Sequence, residues 1–190
     1  MIITRAPFRI SFFGGSSDYK DFFSKHGSFL IGTTIDKYSY TSCRFRPHIL
    51  SNENIVSYSE VEKFKEVDDV KNPLIRESIK QYNFFKKLDI HLFADIPSRT
   101  GLGGSSSCCC SLIKGLSHLE DKEITKKELA KIAIKIERDI LKESGGIQDQ
   151  IWAAYGGFNS IEINTDGDFF VKPMPVSEEF KKEFENSLCL

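Results

Sequence analysis

A glycine- and serine-rich segment at residues 97–107, PSRTGLGGSSS, has the residue types that bind phosphate. Glycines let backbone N–H groups approach a ligand without a Cβ in the way, and a following helix N-terminus adds partial positive charge. Serine hydroxyls are neutral donors and can also ligate Mg²⁺, which prefers hard oxygen ligands. The segment is not a Walker motif, because no Gly-Lys-Ser or Gly-Lys-Thr follows. A flexible connection is the alternative, but a predicted strand before the segment and a predicted helix after it favour phosphate binding.

Two carboxylates could cooperate with this segment. Glu137 lies beside the apolar stripe of a predicted helix at 126–142, where an unpaired carboxylate would be costly. It is either a partly exposed side chain paired with lysine or a Mg²⁺ ligand. Asp149 follows the pair Gly145-Gly146 and precedes an apolar run. It either caps a helix or orients and deprotonates a substrate hydroxyl.

The elements that must position these residues can be read from hydrophobic patterns. A helix is predicted to begin at Pro73, behind an Asn72 cap, and to end near Leu88. Runs rich in β-branched and aromatic residues predict strands, and the last of them leads into the phosphate-binding segment. These strands are residues 2–10, 29–35, 38–45, 54–58 and 90–94.

The second half of the chain is predicted to be mainly helical. Apolar residues at 112–119 extend the glycine segment as a helix, and Thr125 with Glu128 forms a capping box for the next helix. Asp166-Gly167, flanked by apolar runs at 158–163 and 169–171, predicts a β-hairpin. Because strands come first and helices are then interspersed, the sequence predicts an α+β fold.

Composition argues against several classes of partner. The formal net charge is -1, with no block of basic residues that could neutralise a nucleic-acid backbone. No run of 18 apolar residues and no signal-peptide pattern occur, so we expect a cytoplasmic protein with no membrane partner.

Three of the five cysteines are consecutive, at 108–110, and successive helical side chains point about 100° apart. They are therefore expected to pack helices rather than to bind metal.

The pattern of apolar residues near the C-terminus predicts the domain organisation. Phe180 and Phe184 share one predicted helical face, and residues 188–190 have the pattern of an apolar strand that has only begun. We therefore expect one domain at 1–187, with 188–190 starting a second domain that is truncated. An exposed apolar end of this kind would favour a homodimer.

Three segments together resemble the GHMP kinase superfamily, which comprises galactokinase, homoserine kinase, mevalonate kinase and phosphomevalonate kinase. They are RAPFRISFFGGSSDY at 5–19, PSRTGLGGSSS at 97–107 and SGGIQDQIWAAYGG at 144–157. The GGSSDY form, with GTTIDKYSY at 32–40, is most similar to bacterial D-glycero-D-manno-heptose 7-phosphate kinases and their fucokinase-like relatives. The resemblance covers essentially the whole chain. It implies a fold like the second domain of ribosomal protein S5, with the C-terminal ferredoxin-like domain missing.

The resemblance also implies residue roles. Ser106, with Ser105 as an alternative, would ligate Mg²⁺ together with Glu137. Asp149 would be the base or electrostatic partner of the attacking hydroxyl, and Arg9 would stabilise charge on the nucleophile or the γ-phosphate. The ATP phosphates would be wrapped by Gly101, Leu102, Gly103, Gly104, Ser105, Ser106 and Ser107. Sugar hydroxyls would be bound by Asp18, with Gly14, Gly15, Ser17 and Gly146 completing the substrate site.

Two departures from the family pattern matter. Gly14-Gly15-Ser16 replaces the Gly-Glu-His of galactokinase-like members, which argues against galactose. Gly104 stands where Ser or Thr is frequent in the family. The segment can therefore be aligned with the family motif in two ways that differ by one residue.

Two functions are consistent with this sequence. The first is an ATP-dependent kinase that phosphorylates the anomeric hydroxyl of a heptose 7-phosphate, for surface polysaccharide. The second is a GHMP-like domain that binds a sugar or nucleotide without turnover, because it is truncated. Three lysines and one arginine are available to bind the phosphate of the sugar: Lys20, Lys25, Lys37 and Arg99.

Overall fold

A seven-stranded mixed sheet forms one layer of the molecule, in a computed structural model that describes residues 1–47, 49, 53–84, 86–97 and 99–188. The strand order is β4-β3-β5-β2-β6-β7, and β1 pairs with the other edge of β2. Only the β3–β5 pair is parallel. The strands are β1 (Ile2–Phe13), β2 (Ser28–Phe45), β3 (Asn54–Ser57), β4 (Val61–Phe64), β5 (Leu88–Ala94), β6 (Phe158–Ile163) and β7 (Phe169–Pro173).

Helices supply the second layer, and this arrangement confirms the predicted α+β class. The central helix packs on β1 and β2 through buried residues that include Cys109, Cys110 and Ile113. The buried cysteines thus act as core side chains, and burial raises the pKa of the Cys109 and Cys110 thiols. The helices are α1 (Lys20–His26), α2 (Pro73–Ile79), α3 (Gly104–Leu119), α4 (Lys126–Ile134), α5 (Gln148–Tyr155) and α6 (Glu178–Asn186).

Strand β2 corrects the first strand predictions. The two strands expected at 29–35 and 38–45 form one strand of 18 residues. Both halves pair with β1, whose register shifts between Pro7 and Arg9, so the polar residues Asp36 and Lys37 are accommodated without ending the strand. Cross-strand pairing outweighs local polarity here. Helix α1 and strand β4 were not predicted, because each is short and carries a weak apolar pattern.

Two predicted helices also differ from expectation. Helix α2 begins at Pro73 behind the Asn72 cap as predicted, but ends at Ile79 rather than near Leu88. Its last turn tightens, since Tyr82 N–H donates to the Ile79 carbonyl, and the chain then turns towards β5. The helix expected at 126–142 is α4 followed by a π-helical segment, Lys135–Ile140. The Thr125–Glu128 capping box is confirmed.

The C-terminal part carries the predicted hairpin and helix. Strands β6 and β7 pair antiparallel, but only Gly167 of the Asp166-Gly167 pair has a positive φ, at 85°. Phe180 and Phe184 stack at 5.8 Å on one face of α6, as predicted. The strand expected at 188–190 falls largely outside the described residues. No helix in the described part of the chain is long and apolar enough to cross a membrane.

Candidate active site

The glycine segment presents a row of free backbone donors. Gly101 and Gly103 both have φ of 76°, a left-handed conformation that other residues rarely adopt. Helix α3 begins at Gly104, so Ser105 and Ser106 lie in its first turn rather than in the expected loop. Among the described residues, no acceptor bonds the N–H groups from Gly101 to Ser106. Unpaired N–H groups before a long helix form an anion site; Ser98, in the same predicted segment, lies outside the described residues.

The Arg9–Asp149 ion pair lies directly against this segment. Arg9 donates from Nε and Nη2 to Asp149 Oδ1, both at 2.7 Å, and from Nη1 to the Gly101 carbonyl at 2.7 Å. A Cβ on Gly103 would lie 3.2 Å from Arg9 Cγ and 3.6 Å from Asp149 Oδ2. Oδ2 accepts no hydrogen bond from a described residue, so this oxygen is free for a ligand. Asp149 lies in the first turn of α5 and is not its N-cap, which is Ile147.

Glu137 is fully buried, and its partners are neutral. Ser105 Oγ donates to Oε1 and Ser106 Oγ donates to Oε2, each at 2.7 Å, and Gln150 Nε2 also donates to Oε2. The alternative of a partly exposed Glu137 paired with lysine is therefore wrong. The two serines differ in access, because Ser106 is 1% exposed whereas Ser105 is exposed.

A π-helical segment aims Glu137 at the glycine segment. Residues Lys135–Ile140 form wider turns than an α-helix, and Glu143 N–H reaches back to the Glu137 carbonyl at 2.9 Å. Such segments are rare and frequent at functional sites. The sequence gives no periodic signal for this local widening.

Asp18 joins the first motif to the third. Its side chain is fully buried; Oδ2 accepts from Gln148 N–H at 3.0 Å, and Oδ1 accepts from Gln148 Nε2 at 3.2 Å. A Cβ on Gly146 would lie only 1.8 Å from Asp18 Oδ2, so glycine is required there. Burial raises the pKa of Asp18, as does the charge of Asp149, whereas the hydrogen bond from Gln148 N–H and the Arg9 charge lower it.

A polar cleft of about 420 Å³ opens in front of these groups, within the size range of small-molecule sites. Arg9, Asp149, Asp18, Gly15 and Gly146 line it, as expected from the sequence. Gly14 and Ser17 do not line it. They hold the preceding turn instead, since Ser17 Oγ donates to the Gly14 carbonyl at 2.6 Å. Their direct contact with a substrate stays a prediction.

Several residues of the cleft wall were not predicted, and three of them carry polar or charged groups of interest. Ser11 Oγ and Gln148 Oε1 are buried polar atoms with no hydrogen-bond partner among the described residues. The third is Arg138, next to Glu137 in the chain. Of these three, Ser11 could have been found from its spacing, because it lies two residues from Arg9 on one strand and therefore on the same face of the sheet. None of the four cations named for a sugar phosphate, Lys20, Lys25, Lys37 and Arg99, lines this cleft.

Comparisons with known proteins are consistent with this geometry. Residues 70–157 match the family described as GHMP kinases N terminal domain. The chain is 29% identical over 196 residues to a D-glycero-alpha-D-manno-heptose 7-phosphate kinase of Campylobacter jejuni. It superposes with a TM-score of 0.90, at 26% identity, on a D-glycero-D-manno-heptose 1-phosphate kinase from Bacteroides thetaiotaomicron.

Coverage is unequal in these comparisons. The alignments use 97% and 98% of this chain but 57% of the Campylobacter protein and 64% of the Bacteroides chain. A galactokinase from Lactococcus lactis, at 18% identity and a TM-score of 0.70, shows the shared fold alone.

Proposed function

We propose that this chain, whose residues 70–157 match the GHMP kinase N-terminal domain, belongs to an ATP-dependent sugar kinase. The substrate would be D-glycero-D-manno-heptose 7-phosphate, phosphorylated at its anomeric hydroxyl for GDP-heptose and surface polysaccharide. The observation that carries this proposal is the position of the Arg9–Asp149 pair. Arg9 donates to the Gly101 carbonyl of the glycine segment, and both residues line the polar cleft.

Phosphoryl transfer needs a nucleotide and a hydroxyl held in line. The N–H groups from Gly101 to Ser106 bind the ATP phosphates, and the 16-residue helix α3 behind them adds its dipole. Asp149 Oδ2 accepts the hydrogen bond of the attacking hydroxyl and takes its proton. Arg9 holds Oδ1 with two donors, which orients the carboxylate and places positive charge beside the transferring group.

Mg²⁺ fits the donor set at Glu137. A buried carboxylate and two serine hydroxyls provide hard oxygens beside the phosphate site, with nucleotide and water completing the shell. No cluster of three or more metal-binding side chains occurs among the described residues, so phosphate oxygens would have to contribute. Bound Mg²⁺ neutralises charge on the phosphates. Of the two serines, exposed Ser105 is better placed than buried Ser106 to meet an ion that arrives with ATP.

Support for a heptose phosphate comes from two sources. The two relatives above are named as kinases of heptose phosphates, with the phosphate at position 7 in one name and at position 1 in the other. Gly14-Gly15-Ser16 removes the acidic side chain of the galactokinase pattern, and buried Asp18 remains as a carboxylate at the cleft.

A coupled assay of ADP release tests this function directly. We expect ATP turnover with heptose 7-phosphate and little with galactose, mannose 6-phosphate or heptose. Because the chain spans 57% of the length of the Campylobacter relative, the 190-residue chain is assayed alone and within any longer protein that contains it. Turnover by neither protein, with sugar or nucleotide binding retained, would favour the non-catalytic alternative. Turnover with galactose alone would contradict the substrate assignment.

The metal assignment predicts unequal effects at the two serines. Ser105→Ala should raise the Mg²⁺ concentration needed for half-maximal activity roughly tenfold, the size of typical losses when a metal-site oxygen is removed. Ser106→Ala should have a smaller effect, because its hydroxyl is buried. Ser117→Ala, at the far end of α3, is the control. Identical Mg²⁺ titrations for Ser105→Ala and the parent would reject this ligand.

A further inference from the structure

We propose that Arg138 and the turn at residues 144–146 bind the phosphate group that the sugar substrate already carries. This inference rests on the proposed function, since it concerns the acceptor of that kinase. None of the cations named from the sequence for this phosphate lines the cleft, whereas Arg138 does.

The Arg138 guanidinium has N–H groups that donate to no described residue. Its Nε donates to the Gly146 carbonyl at 2.8 Å, and its Nη1 donates to the carbonyls of Glu143 and Ser144 at 3.1 and 3.4 Å. In the described part of the chain, Nη2 has no acceptor. Two N–H groups of a guanidinium at the cleft wall are therefore unpaired, and a phosphate oxygen matches them well.

The charge of Arg138 is also poorly compensated. All its acceptors are neutral carbonyl groups, and it forms no ion pair with a described carboxylate. Glu143 is the neighbouring acid, but Arg138 bonds its backbone carbonyl and forms no ion pair with its carboxylate. Arg9, the other arginine of the cleft, is paired with Asp149. Arg138 is thus the cleft cation that can best balance a dianion.

The adjoining turn adds backbone donors. No described residue accepts from the N–H groups of Ser144, Gly145 or Gly146, and all three residues line the cleft. Gly145 has φ of 143°, and a Cβ there would lie 3.1 Å from Arg138 Nη2. Glycine therefore keeps both the turn conformation and the space beside the guanidinium. Successive free N–H groups in a turn make a concave anion site.

The position of this site suits a sugar phosphate. Gly146 contacts Asp18, and Asp149 follows three residues later in the chain, so both carboxylates face the cleft that Arg138 lines. A sugar can then place its reacting hydroxyl at Asp149, other hydroxyls at Asp18, and its phosphate at Arg138. A substrate without the phosphate would leave the Arg138 donors unpaired.

Arg138 also holds the 143–146 turn, so loss of binding alone would not establish phosphate recognition. The test is a ratio of affinities measured by calorimetry on the full-length protein, for heptose 7-phosphate against unphosphorylated heptose. Arg138→Met should reduce the preference for the phosphorylated sugar by about 10- to 100-fold, as expected for lost hydrogen bonds to a charged group. Arg138→Lys should retain part of it. Lys25→Met, at an exposed cation of α1 that does not line the cleft, is the control and should keep the full preference.

Inorganic phosphate, followed by ³¹P NMR, separates this inference from the proposed substrate. Phosphate binding by the parent that is lost in Arg138→Met supports the site even if heptose 7-phosphate is not turned over. Equal losses for phosphorylated and unphosphorylated heptose would show a purely structural role and overturn the inference, while the kinase function would stand. Absence of binding by the parent to both heptose 7-phosphate and inorganic phosphate would overturn both.

Discussion

Asp149→Asn should lower turnover about 10²-fold or more while ATP affinity stays nearly unchanged. The amide cannot take a proton from the attacking hydroxyl, and it carries no charge to pair with Arg9. Under the proposed function, ATP binds mainly to the N–H groups from Gly101 to Ser106, which the substitution leaves in place. Steady-state kcat for the heptose phosphate and calorimetric ATP binding measure the two quantities separately.

Asp139→Asn is the matched control for this variant, because Asp139 is an exposed carboxylate without a hydrogen-bond partner in the described structure. It should retain parental turnover. If Asp149→Asn kept the parental kcat, Asp149 would be reduced to the ion-pair partner that orients Arg9. A matching fall in ATP affinity would instead indicate that the Arg9–Asp149 pair supports the glycine segment.

Gly146→Ala should weaken both sugar binding and stability. The new Cβ would lie 1.8 Å from Asp18 Oδ2, and Asp18 is fully buried, so the carboxylate must leave Gln148 N–H. Hydrogen bonds to a charged group contribute roughly 1.5–3 kcal/mol, and we expect a loss of unfolding free energy of that order. Affinity for the sugar phosphate should fall about tenfold or more, since Asp18 no longer faces the cleft in its present position.

Gly15→Ala is the control for stability, since Gly15 lines the same cleft but a Cβ there would meet no atom within 4 Å. Urea unfolding measures the stability of the two variants, and calorimetry measures their sugar affinity. The comparison is between a new Cβ that meets Asp18 and one that meets no atom. Parental stability and sugar affinity in Gly146→Ala would show that Asp18 can move without cost, and Asp18 would then lose its assigned part in substrate binding.

Local patterns in the sequence were sufficient for most elements around the site. The glycine segment between a strand and a helix, the Thr125–Glu128 capping box and the Pro73 helix start all depend on neighbouring residues, and each occurs as predicted. The need of Glu137 for a partner followed from its place beside an apolar stripe. The identity of these partners could not be predicted from the sequence, because Ser105 and Ser106 lie more than thirty residues away in the chain.

By itself, then, the sequence determined the α+β class, the glycine- and serine-rich segment before α3 and the residue types of the candidate site, since these depend on propensity, spacing and motif. The tertiary structure decided which groups meet. Pairing across the sheet made β2 one strand, and packing of the 143–146 turn brought Arg138 to the cleft while Lys20 and Arg99 stayed away from it. Contacts between residues distant in the chain depend on how whole elements pack, and no local pattern encodes their geometry.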